Sequence, residues 1–132
     1  MISTKIQIRF GDCDMGGHVH NAAYLHYFES ARVNFFVSEL GTNWDWGANG
    51  LILKKNIVEY QHPVHIEDDL KVEVRTTHIG TKSFTLSYAV INGNGLLMTS
   101  GESVVVCFDY THNHSIEIPR KMKALLLRHL ED

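Results

Sequence analysis

The residues best suited to chemistry lie in one short stretch, Asp12-Cys13-Asp14-Met15-Gly16-Gly17-His18-Val19-His20-Asn21. It joins an alternating apolar segment to a long apolar one. Asp14 offers a carboxylate that can attack a carbonyl carbon or take a proton from water. The following segment is predicted to be a helix, so its first turn presents unpaired N–H groups and a positive dipole end. Such donors can hold an anion or a developing oxyanion. A base or nucleophile beside an oxyanion site is a minimal kit for acyl transfer. Gly16 and Gly17 would allow a close approach of the backbone to a ligand. His18 and His20 flank the turn, and their imidazoles could order the loop or meet substrate and water.

Positioning these groups requires a strand before them and a helix after. Lys5 to Phe10 alternates, with Ile6, Ile8 and Phe10 on one face, which predicts a half-buried strand. Gly11 to His20 reads as loop, and the Asn21 side chain is a plausible N-cap. Ala22 to Leu40 predicts a helix with a broad apolar face including Tyr24, Leu25, Phe28, Ala31, Phe35 and Phe36, ended by Gly41. A connection with Trp44 and Trp46 follows. Strands are expected over Leu51 to Tyr60, around Leu70 to Arg75, around Phe84 to Val90, and over Leu96 to Asp109 with Val104, Val106 and Phe108 on one face. Pro63 marks a break, and Asn92-Gly93-Asn94-Gly95 a hairpin. Tyr110 to Ser115 reads as polar loop. Pro119 suits the first turn of a last helix with Met122, Leu125, Leu126 and Leu130 as its stripe. One antiparallel sheet wrapping one long helix satisfies this order, an α+β architecture in a single domain spanning 1–132.

Composition narrows the partners. Twelve Lys plus Arg against 15 Asp plus Glu give a net charge of −3, which speaks against a globally basic, nucleic-acid-binding surface. There is no membrane-length apolar run and no signal-peptide pattern at the N-terminus, so a cytoplasmic protein is expected. Cys13 and Cys107 are expected to be buried reduced thiols. The nine histidines do not fall into a recognisable metal set, and no metal or cofactor is expected.

The same residues resemble a known family. The run from Asp12 to Leu25, followed by Phe28-Glu29-Ser30-Ala31-Arg32, is similar to the 4-hydroxybenzoyl-CoA thioesterase branch of the hotdog-fold superfamily. Tyr60-Gln61-His62-Pro63-Val64, Asp69-Leu70-Lys71-Val72 and Gly80-Thr81-Lys82-Ser83-Phe84 fall in the family's order. The resemblance implies a curved antiparallel sheet around a helix, a homodimer or homotetramer, and hydrolysis of an acyl-CoA thioester. It implies that Asp14 is the nucleophile or general base. With it, Gly17 and the backbone N–H of Asn21 complete the catalytic set. His18, His20 and Tyr24 then lie against substrate, and Lys82 and Ser83 near the CoA phosphates. It also implies a site drawing on both subunits. Departing from the pattern, His20-Asn21 stands where related short-chain thioesterases often carry Asn-Asn. Glu29 and Arg32 could pair along the helix. The acyl group cannot be read from these residues. A hotdog hydratase or dehydratase, or a non-catalytic acyl-thioester binding module, is the alternative reading.

Overall fold

The structure, a computed structural model, describes residues 1–131. Its elements run β1 (Ile2–Ile6), a 3-10 turn (Phe10–Asp12), α1 (Ala23–Leu40), β2 (Gly50–Tyr60), β3 (Leu70–Ile79), β4 (Ser83–Asn92), β5 (Leu97–Asp109), β6 (His114–Ser115) and α2 (Arg120–Arg128). The sheet order is β1-β3-β4-β5-β2, with β6 also on β5, and every strand pairing is antiparallel. The sheet curves around α1, the hotdog architecture expected from the sequence.

Helix α1 is held by aromatic packing. Tyr24, Tyr27, Phe28, Ala31, Phe35, Phe36 and Leu40 are buried on its sheet side. From β3 and β4 come Val72, Val74, Phe84, Leu86, Tyr88 and Val90, all buried. Phe28 stacks on Tyr88 with centroids 4.4 Å apart and planes 5° from parallel. Each such ring withdrawn from water contributes roughly 1.5–3 kcal/mol, so the helix is fixed by packing. Gly101 of β5 makes that approach possible. A Cβ there would lie 2.6 Å from the Phe28 ring and 2.9 Å from the Ile57 carbonyl oxygen. Gly101→Ala is therefore expected to cost about 1–3 kcal/mol through overpacking, read as a lower thermal midpoint. An unchanged midpoint would show that the helix can back away freely.

Several expectations need correction. The first strand is Ile2–Ile6, and the chain then turns, leaving Phe10 87% exposed. Alternation continued past Ile6, but Asp12 stops the strand: its carboxylate accepts the Arg9 N–H at 3.0 Å and closes the 3-10 turn. Leu25 is exposed, outside the buried face of α1. On β5 the core face is Ser103, Val105, Cys107 and Asp109, so Val104, Val106 and Phe108 point to the sheet's other side. Both faces of this strand are apolar, so alternation alone could not choose between them. His114 and Ser115 form β6 within the predicted loop. Pro119 precedes α2 as its N-cap residue, and Leu130 lies beyond the helix, 42% exposed. Cys107 is buried, but Cys13 is only half-buried. Burial pushes the Cys107 thiol up to about 11. Glu29 is exposed, and Arg32 instead donates to the Tyr88 hydroxyl at 3.0 Å.

Candidate active site

The loop before α1 is a small antiparallel hairpin. Cys13 pairs with Val19; Asp14 N–H donates to the His18 carbonyl at 2.8 Å, and His20 N–H to the Asp12 carbonyl at 2.7 Å. Gly17 sits at its tip with φ of +80°, a backbone geometry that favours glycine. Asp14 Oδ1 accepts the N–H of Gly16 at 2.9 Å and of His18 at 3.2 Å. Among the described residues, Asp14 Oδ2 has no partner, so one carboxylate oxygen is held while the other is open on an exposed loop. A Cβ on Gly16 would sit 3.3 Å from Asp14 Oδ1 and 3.4 Å from His18 Nδ1.

The helix start also differs from its expected form. Asn21 makes no side-chain cap, and the residue before the first helical position is Ala22. No side chain caps α1, but the His20 ring closes the turn just before it: its Nδ1 accepts the Ala22 N–H at 3.1 Å, so a neutral ring carries its proton on Nε2. The His20 carbonyl accepts the Ala23 N–H at 2.9 Å. Asn21 O accepts the Tyr60 hydroxyl at 3.2 Å, tying the turn to the end of β2. Among the described residues, the Asn21 N–H has no acceptor. Asn21 also lines a groove of about 300 Å³ with Val19, Tyr24, Tyr60, Gln61 and Pro63.

Asp12 shapes the loop. Its Oδ2 accepts the Tyr27 hydroxyl at 2.8 Å as well as the Arg9 N–H. Burial and that carboxylate push the Tyr27 phenol well above its ordinary value, so it stays a proton donor. Tyr24 is 3% exposed and lies edge-on to Tyr60 at 5.1 Å.

Asp14, Gly17, His18, His20, Asn21 and Tyr24 thus gather at one end of the sheet. Lys82 and Ser83 do not join them. The Lys82 carbonyl accepts the Cys107 N–H at 2.8 Å, whereas Tyr60, which reaches Asn21, pairs with Thr99. Thr99 and Cys107 are separated by roughly 26 Å of strand. In a single chain, Lys82 and Ser83 are at the far end. Tyr60, bonded to the Asn21 carbonyl, and His65, whose ring centroid lies 4.5 Å from that of His18, are contacts of this site that the residue pattern did not single out. Their signal was tertiary, though Tyr60 lay in a recognised landmark.

The sequence profile of the thioesterase-like superfamily matches residues 8–126, so the chain belongs to that superfamily. It is 24% identical over 121 residues, 90% of each chain, to the acyl-CoA thioester hydrolase YbgC of Escherichia coli O6:H1. The PA5185 protein of Pseudomonas aeruginosa PAO1 superposes with a TM-score of 0.91 at 20% identity, over 100% of this chain and 93% of that one. A thioesterase of Thermus thermophilus, solved with coenzyme A and zinc, gives 0.83 at 27% identity, over 96% and 91%. No helix of the described residues is long and apolar enough to cross a membrane.

Proposed function

We propose that this protein hydrolyses acyl-CoA thioesters, releasing a carboxylic acid and the free thiol of CoA. One observation carries the reading. Asp14 has an uncommitted carboxylate oxygen, and the same hairpin leads to the free N–H of Asn21 at the helix start. The Asn21 N–H and the α1 dipole would polarise the thioester carbonyl. Asp14 would then either attack the carbon, expelling the thiolate and leaving a mixed anhydride for water to cleave, or take a proton from the water that attacks it. On either route the C–S bond breaks; on the first the expelled thiolate takes its proton from solvent, and on the second it can take back the proton that Asp14 removed from water. Membership of the thioesterase-like superfamily and the hydrolase relatives support hydrolysis over hydration or binding alone. The test is thiol release from a panel of acyl-CoA esters of several chain lengths and aromatic types. Enoyl absorbance changing without thiol release would establish a hydratase instead; tight binding with neither change would establish a binding module.

The site is completed by a second copy in this reading. β2 is a sheet edge 11 residues long, with Leu53 43% and Tyr60 51% exposed. Long unpaired edges recruit a strand. A two-fold axis through the middle of β2 would reverse the partner, so its Gly50 end would lie beside Tyr60 of the first chain. That operation would carry the partner's Lys82 and Ser83 toward the Asp14 loop, where they could bind the CoA phosphates. His18 and His20 border the thioester, and Tyr24 the acyl groove. Lys82→Ala is expected to raise KM for an acyl-CoA about tenfold, and to leave the matching acyl-pantetheine unaffected. Equal losses on both substrates would place Lys82 away from the nucleotide tail.

A further inference from the structure

His65, in the segment between β2 and β3, lies against the Asp14 hairpin. His18 and His65 are paired as an antiparallel bridge, and the Val19 N–H donates to the Val64 carbonyl at 2.7 Å. The two imidazoles meet edge to face, centroids 4.5 Å apart and planes at 60°. Among the described residues, neither ring has a hydrogen-bond partner, so the contact between them is one of packing. His65 is in turn anchored by its own tight turn. Its N–H donates to Asp68 Oδ2 at 2.8 Å, and its carbonyl accepts the Asp68 N–H at 3.0 Å.

This matters because the base of the hairpin is tied by the Cys13–Val19 pair and by Asp12, but its tip is not buried. Asp14, Met15, Gly16 and Gly17 are exposed, so their tip gains almost nothing from burial. The Asp14 carboxylate is oriented by the Gly16 N–H, from within the hairpin tip, and by His18, whose N–H donates to Oδ1 and whose carbonyl accepts the Asp14 N–H; of the two, His18 alone connects to a distant segment. His18 is fixed on its other side by its bridge to His65 and by the His65 ring. The chain of contact therefore runs from the Asp68 turn through His65 and His18 to Asp14.

We propose that His65 is a positioning residue: its ring sets the angle of the Asp14 carboxylate by packing on His18. This rests on the reading of Asp14 as the reacting carboxylate. Misplacing a reacting group by an ångström can cost up to about 100-fold in rate. Of the groups assigned to substrate, the His65 ring packs on His18; the phosphate contacts of Lys82 and Ser83 and the groove wall at Tyr24 and Tyr60 are separate from that contact and carry most of the binding. His65→Ala should therefore lower kcat by roughly 10- to 100-fold and change KM by no more than about twofold. Because the contact is packing, His65→Phe should restore most of the lost kcat. Asp68→Ala, which frees the turn under His65, should lower kcat in the same direction and serves if His65→Ala fails to fold. Steady-state kinetics on one acyl-CoA, with folding checked by circular dichroism, decides the matter. An unchanged kcat in a folded His65→Ala or Asp68→Ala protein overturns the proposal. So does a raised KM with kcat intact, or a Phe variant as slow as the Ala one. Asp14→Asn measured alongside separates the two ideas. Full activity in that variant removes the reading of Asp14 itself, whereas an inactive Asp14→Asn protein beside a normal His65→Ala protein removes only the role of His65.

Discussion

Asp14→Asn is expected to lower kcat for acyl-CoA hydrolysis by at least about 100-fold, the scale of a lost general base. The substitution is well matched to the geometry. The amide oxygen of Asn can take over the bonds that Oδ1 accepts from Gly16 at 2.9 Å and His18 at 3.2 Å. The amide nitrogen then replaces the uncommitted Oδ2. It has no lone pair able to attack a carbonyl or accept a proton from water. The hairpin should keep its form, and the oligomer its size, while chemistry is lost. Thiol release measured beside sedimentation and circular dichroism checks both halves of the expectation. Near-normal turnover would take Asp14 out of the mechanism on either route.

The second large effect is expected at the β2 edge. Leu53 is on the helix side of that strand, paired with the buried Val105 of β5, yet is itself 43% exposed. Leu51 and Val58 on the same strand are only partly buried. If two sheets join edge to edge, Leu53 is buried against the second copy, and Leu53→Lys places two unpaired ammonium groups in one interface. Such a charge costs several kcal/mol when desolvated. The variant should sediment as a monomer with KM for an acyl-CoA raised by at least about tenfold, because Lys82 and Ser83 would then be absent from the Asp14 end. The unaltered protein should lose specific activity when diluted below its dimer dissociation constant. A stable monomer with full activity would overturn the shared site. It would leave Lys82 and Ser83 outside a single-chain site.

The residue pattern disclosed the architecture because burial has a period. Phe84, Leu86, Tyr88 and Val90 alternate and are buried, and the aromatic face of α1 recurs at helical spacing. On β5 the period correctly put Val104, Val106 and Phe108 on one face, but it could not say that the opposite face, with Val105 and Cys107, is the one against the core. It failed after Ile6, where one Asp12 carboxylate ended a strand whose alternation continued to Phe10. A local hydrogen bond overrode the period there.

The site divides along the same line. The order Asp14, two glycines, then helix is a local arrangement, so its chemistry was legible from spacing. The helix start was not: Asn21 was the better cap by type, but no side chain caps α1, and His20 reaches the Ala22 N–H. Nor could spacing show the Tyr60 bond to Asn21 or the His65 ring on His18, since each joins segments about 40 residues or more apart in the chain. Lys82 and Ser83 are the clearest case. The sequence placed them in family order, but antiparallel register puts them at the end of the sheet away from Asp14. Sequence by itself determined which groups are present, the helix and strand periods, and the carboxylate-before-helix order, because these depend on near neighbours. Only the tertiary structure decided which oxygen of Asp14 is free, which N–H is left open, and which residues share an end of the sheet, because those follow from strand pairing between distant segments.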